Sequence, residues 1–310
     1  MTIAMPPLRA GTRGSPLALI QTRLLIAALQ GRCTVEEHVI RTTGDAVQDR
    51  RLADIGGKGL FAKEIHDALT DGRIDLAVHS LKDLETTLPA GIVLACVLPR
   101  EDPRDALILR TPATIDPSAP FASLPRGALI GTASVRRQAQ LLHMRPDLVM
   151  TTLRGNVQTR LAKLAAGDCA ASLLAYAGLK RLGLAERADA VLEPEVMVPA
   201  AGQGIIGVTV RERDTELRDL LAAITDPAAN AASTGERAML AQLDGSCRTP
   251  IGAYAVMQPS GDLHLTGMVA STDGSFLLKR TLHGPTADAE RIGRELAASL
   301  RRDSPGGIFA

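Results

Sequence analysis

The sequence predicts an α/β protein that ends in a smaller α+β region. Short apolar runs of strand length recur up to Val210, and most lead through a polar turn into an amphipathic helix. After Thr225-Asp226-Pro227 the order changes to one helix, three strand-like runs and a closing helix. Two passages break the α/β pattern and suit crossings between domains. One is the charged Arg100-Glu-Asp-Pro-Arg-Asp105, the other the glycine-rich Ala200-Ala-Gly-Gln-Gly204.

Taken in order, Leu8 to Thr12 reads as a first strand. Ser15 suits a helix N-cap and Pro16 the first helical position. Thr34 to Thr42 is a second strand, and the polar, glycine-containing stretch to Gly59 a mobile loop. Gly56, Gly57 and Gly59 around Lys58 let backbone approach a ligand or let a lid move. Phe61, Ile65, Ala68 and Leu69 share one helical face. Leu76-Ala-Val78 is too short for a helix and suits a strand buried on both sides. His79, Ser80, Lys82 and Asp83 follow it directly. In open α/β sheets ligands sit outside the carboxyl ends of strands, so Lys82 and Asp83 should project into a cleft. A solvated Lys-Asp turn is the competing reading.

Ile92 to Leu98 is a further strand. Beyond the first crossing, strands are expected at Ala128–Thr132, Leu148–Leu153, Ala170–Ala175 and Ile205–Val210. Helices are expected at Glu216–Ala223 and Ala228–Leu243. Strands near 251–256, 263–269 and 276–282 and a helix near 287–300 complete the chain, with Asp303-Ser-Pro-Gly-Gly307 frayed.

Composition narrows the chemistry. The chain has 310 residues, enough for two or three domains. Aromatic residues are 2% and Trp is absent, so the core must be aliphatic. A net charge of +1 argues against bulk nucleic-acid binding, and an RNA-binding module would also need stacking aromatics. The start shows no signal-peptide pattern, and no apolar run is long enough to span a membrane. Cys33, Cys96, Cys169 and Cys247 are scattered without a C-x-x-C pair, which leaves zinc and thioredoxin chemistry unsupported and fits a reducing cytoplasm.

Three strand-to-helix turns carry arginine: Arg13-Gly-Ser15, Thr132-Ala-Ser134-Val-Arg136-Arg137, and Arg154-Gly-Asn156 leading to Arg160. A helix N-terminus attracts anions, and arginine there is unfavourable without one. Any single arginine could pair with a surface carboxylate. As a set they favour a ligand with several acid groups, matched by guanidinium forks. No P-loop and no dinucleotide fingerprint is present. Cys247 lies between Gly245-Ser246 and Arg248, which could give access and favour thiolate, although a lone cysteine is more often buried and inert.

Gly56-Gly-Lys-Gly-Leu-Phe61 followed by His79-Ser-Leu-Lys-Asp83 resembles the porphobilinogen deaminase family. The resemblance extends through Arg13-x-Ser15-Pro-Leu-Ala, Arg100–Asp105, Gly131-Thr-x-Ser134-x-Arg-Arg-Gln138, Leu153-Arg-Gly-Asn156, Ala177–Leu184, Pro199–Gly204 and Gly245-x-Cys247-x-x-Pro-Ile-Gly252. It implies two lobes like those of periplasmic binding proteins, joined by two hinge crossings, plus a small C-terminal domain. The divisions expected are 1–101 with 203–223, 102–202, and 224–310. It implies a monomeric cytoplasmic transferase that joins four porphobilinogen units head to tail, releases ammonia and yields hydroxymethylbilane; the competing reading is a non-catalytic two-lobed binding protein for a multi-carboxylate small molecule. The primer would be a dipyrromethane cofactor attached covalently to Cys247. The resemblance makes Asp83 catalytic. It places Lys82, Ser134, Arg136 and Arg137 at the cofactor with Asp83, and Arg13, Ser15, Arg154, Arg160, Arg181, Lys58, Phe61 and Ser80 at the substrate. No metal, membrane or nucleic acid is implied. Departures from the family pattern fall at Asp54, Leu84-Glu85 and Cys169-Ala170.

Overall fold

A computed structural model describes residues 6–43, 62–243 and 249–309. The loop expected up to Gly59, with Asp54, Lys58 and Phe61, and the segment containing Cys247 lie outside the described residues. The described chain forms two compact units. The first takes the chain up to Glu101 together with Ile205–Asn230; the second takes Asp102–Gly204 and the chain from Ala231 onward.

In the first unit the strands are β1 (Leu8–Thr12), β2 (Val35–Val39), β3 (Leu76–Ser80), β4 (Ile92–Val97) and β10 (Ile206–Arg211). They lie in the order β2-β1-β3-β10-β4. β1 is parallel to β2 and β3, whereas β10 runs antiparallel to β3 and β4. Helices α1 (Pro16–Ala28) and α2 (Lys63–Thr70) pack on β3, and α6 (Thr215–Ala222) packs on β4. α1 starts as its sequence dictates, with Ser15 Oγ accepting from Ala18 N–H at 3.3 Å and proline in the first turn. Ile65, Ala68 and Leu69 of α2 are fully buried, as their spacing requires.

The second unit repeats the plan. Its strands are β5 (Asp105–Leu109), β6 (Leu129–Gly131), β7 (Val149–Thr151), β8 (Ala171–Ala175) and β9 (Ala190–Leu192). Their order is β7-β6-β8-β5-β9, with β6 parallel to β7 and β8, and β5 antiparallel to β8 and β9. In both sheets the reversed fourth strand, β5 or β10, is the first strand after a crossing. Two α/β lobes that exchange the chain twice are therefore legible in the strand order itself. Helices α3 (Val135–Met144), α4 (Val157–Ala166) and α5 (Tyr176–Arg181) follow β6, β7 and β8.

The same unit holds a three-stranded antiparallel sheet of β11 (Ile251–Met257), β12 (Asp262–Ala270) and β13 (Leu277–Pro285). Helix α7 (Pro227–Gln242) precedes it, and α8 (Ala289–Arg302) lies on it through Ala289, Ile292, Leu296, Ala297 and Leu300, a helical stripe that closes an aliphatic core with Met239 and Leu265. The turn between β12 and β13 grips α3. His143 Nδ1–H donates to Gly274 O at 2.9 Å, and Gln138 Nε2 donates to Thr272 O at 3.1 Å. Gly274 sits at φ +74°, and a Cβ there would come within 2.5 Å of His143 N, so this approach requires glycine.

Three expectations need correction. Asp105–Leu109 is a strand, where the sequence reads a crossing followed by no strand before Ala128; its apolar run after Asp105 is too short to show a period. The short strand β9 is also unforeseen. The stretch 303–307 is not frayed at its start: Arg280 Nη2 pairs with Asp303 Oδ2 at 2.5 Å, and Ser304 Oγ donates to Leu300 O at 2.7 Å.

Candidate active site

In the first unit, β3 is buried along its length and passes at Ser80 into a 3₁₀ turn, Leu81–Asp83. Leu81 N–H donates to Ile205 O at 3.0 Å, and Leu84 N–H closes the turn on Leu81 O at 3.1 Å. Leu81 and Leu84 are both buried in one apolar cluster. With those two anchored inward, Lys82 and Asp83 must point the other way. Lys82 is half-buried and Asp83 exposed. Among the described residues none bonds the Asp83 carboxylate. Leu84, one of the departures from the family pattern, thus holds the turn without touching the carboxylate.

Behind this turn lies a polar layer that the sequence reading does not anticipate. The buried Gln21 of α1 donates from Nε2 to Ser80 Oγ at 2.9 Å, and Ser80 Oγ donates back to Gln21 Oε1 at 3.0 Å. A glutamine inside an apolar helix was the available signal. His79 shares a hydrogen bond with Thr209 Oγ1 at 3.0 Å across β10. Ser80 is therefore already committed to Gln21, while Arg13 and Ser15 stand at the carboxyl end of the neighbouring β1.

The second unit gathers arginines at the carboxyl ends of β6 and β7. Ser134 caps α3, its Oγ accepting from Arg137 N–H at 3.4 Å. Asn156 caps α4 in the same way, accepting from Thr159 N–H at 2.8 Å. Arg136 and Arg137 are buried and share Asp105, which is fully buried. Burial alone would push the Asp105 carboxyl up; the two guanidinium groups outweigh it and hold the acid well below the usual carboxylate range. Burial in turn lowers the Arg136 pKa. The carboxylate that these arginines meet is thus a buried one, not the surface partner that the sequence weighs against a ligand.

Arg154, at the end of β7, is only 7% exposed, and its Nη1 has no hydrogen-bond partner among the described residues. A buried cationic donor left unpaired costs stability, so it marks a place where an acceptor belongs. Arg160 Nε donates to Gly155 O at 2.9 Å, and Arg181 Nη2 to Gly204 O at 2.7 Å. Replacing Arg154 with methionine should leave the melting temperature unchanged or higher, and raise KM for an acid-bearing substrate at least about tenfold, the value of one charge-assisted pair. Thermal unfolding with steady-state kinetics checks this; a large drop in Tm would make Arg154 structural. The described residues hold no group of His, Cys, Asp and Glu suited to a metal ion, and none of their helices is long and apolar enough to cross a membrane.

Two family models match the chain: "Porphobilinogen deaminase, dipyromethane cofactor binding domain" over residues 8–219 and "Porphobilinogen deaminase, C-terminal domain" over residues 231–302. The chain is 48% identical over 312 residues to the porphobilinogen deaminase of Paracoccus denitrificans, covering 98% of this chain and 96% of that one. It is 49% identical over 312 residues to the chloroplastic porphobilinogen deaminase of Oryza sativa subsp. japonica, covering 97% of this chain and 85% of that one. Among solved structures, substrate binding domain 2 of Lactococcus lactis GlnP has a TM-score of 0.43 and 14% identity, over 76% of this chain and 94% of that one. By the family models and these relatives, the chain belongs to the porphobilinogen deaminase family.

Proposed function

We propose that the chain condenses four porphobilinogen molecules head to tail, releasing four ammonia, and hydrolyses the product free as hydroxymethylbilane. The observation that carries this reading is the buried Nη1 of Arg154, which has no partner among the described residues, together with the arginine pair Arg136 and Arg137 at the N-terminus of α3. Both fit a dipyrromethane group and a substrate that bear acetate and propionate arms. When bound, dipyrromethane supplies the ring carbon to which the first substrate unit is joined. We assign its covalent attachment to Cys247.

Arg136, Ser134 and Lys82 would hold the acid arms of that group, with Arg137 in the same cluster beside Arg136, and Arg13, Ser15, Arg154, Arg160 and Arg181 would hold those of the substrate. Guanidinium forks fix the direction of a carboxylate as well as its charge. Lys58 and Phe61 would cover the substrate ring. Ser80 would contribute its remaining lone pair, its proton being held by Gln21. Asp83 is the fixed countercharge for the cation that develops on porphobilinogen as ammonia departs, strongest where water is excluded, and it also serves in proton transfer. The three-domain division at 1–101 with 203–223, 102–202 and 224–310, the monomeric state, the cytoplasmic location and the transferase class belong to the same reading.

Stoichiometry tests it. Purified protein given porphobilinogen should release four ammonia for each hydroxymethylbilane formed. Consumption of porphobilinogen without ammonia, or no consumption, contradicts the reaction.

A further inference from the structure

Asp105 has no place in the reaction as set out above, yet it is the most heavily engaged carboxylate near the arginines. It is the last residue of the first crossing, opens β5, and is 0% exposed. A buried carboxylate needs its lone pairs filled. Oδ2 accepts from Arg136 Nη1 at 2.7 Å. Oδ1 accepts from Arg137 Nε at 3.1 Å, Arg137 Nη2 at 2.7 Å and Gln203 Nε2 at 2.8 Å. Gln203, fully buried within the second crossing, also donates to Pro103 O at 2.7 Å. The one carboxylate therefore ties together the segments at both crossings.

The two arginines are held differently. Every nitrogen of the Arg137 guanidinium group is engaged, since Nη1 donates to Leu173 O at 2.9 Å. Arg136 uses one nitrogen for both of its bonds, Nη1 to Asp105 and Nη1 to Val198 O at 2.6 Å. Its Nε and Nη2 bond to none of the described residues. Two guanidinium charges against one carboxylate leave a single positive charge at the start of α3, where the helix dipole disfavours it. One acid group, not two, balances the cluster.

We propose that Asp105 is a positioning residue that, with Gln203, makes Arg137 a fixed strut and turns the unbonded Nε/Nη2 edge of Arg136 toward a single carboxylate of the bound dipyrromethane. This rests on the reading of the arginines given under the proposed function. It also divides the labour of two adjacent arginines: Arg136 grips the ligand, and Arg137 holds the frame.

Intact-mass spectrometry with thermal unfolding tests the division, on each variant's folded fraction well below its Tm. Arg136→Gln should lower the fraction of chains carrying the added primer mass at least tenfold while shifting Tm little. Arg137→Gln should lower Tm more than Arg136→Gln does. Asp105→Asn, with Arg136 still present, should lower the loaded fraction at least tenfold in protein that keeps its native circular dichroism. An Asp105→Asn protein that folds and loads within twofold of the parent overturns the proposal, because a merely structural role would move Tm and not loading. Should Asp105→Asn fail to fold, Gln203→Leu decides: a loaded fraction at least threefold lower supports the proposal, and an unchanged one overturns it. A parent chain with no added mass contradicts the proposed function itself rather than the division of the arginines.

Discussion

Asp83→Asn should lower kcat for porphobilinogen by about 10²–10³-fold, the range expected when one preorganised electrostatic contact is removed from a reacting centre. Thermal unfolding should be unchanged. The asymmetry follows from the local structure. Leu81 and Leu84 carry the packing of the turn, and Ile205 O holds its backbone. The carboxylate is exposed and bonds to none of the described residues, so asparagine, of the same volume, disturbs nothing that maintains the fold. What it removes is negative charge. Stopped assays of product formation, read beside a melting curve, check both halves. A variant within a few-fold of the parent would take the countercharge role from Asp83.

Cys247→Ala should abolish turnover to the uncatalysed background. A thioether needs a thiolate, and the described cysteines offer no substitute. Burial pushes the thiols of Cys33, Cys96 and Cys169 up, which disfavours their thiolates at neutral pH. Cys96 and Cys169 are each 2% exposed, out of reach of any small molecule. Normal turnover by the alanine variant would show that no bond to Cys247 is needed.

The parts of the site legible in the sequence are those where local pattern and chemistry coincide. Leu76-Ala-Val78 is apolar, short and followed by polar residues, and the strand stands where that pattern puts it, with Asp83 exposed just beyond it. Ser15 and Ser134 announce their helix starts and each side chain caps its helix, and Asn156 caps a third. What stays hidden depends on contacts between residues distant in sequence. Asp105 reads as part of a charged crossing because nothing local shows that Arg136, Arg137 and Gln203 converge on it. Gln21 stands out as polar in an apolar helix, but nothing local names its partner, Ser80, 59 residues away. β5 is missed for a related reason: a strand buried on both faces has no alternation to betray it, and its place in the sheet is set by β8 and β9, which come much later in the chain.

The central claim is a sulfur-anchored, acid-rich primer in a cleft that extends it. Intact-mass analysis of the purified parent chain, before and after porphobilinogen is added, tests it most directly. The account predicts a resting excess equal to two porphobilinogen units less two ammonia, located on the peptide containing Cys247, and a ladder of further unit increments once substrate is present. A resting mass equal to that of the bare polypeptide, with no increments during turnover, would contradict it.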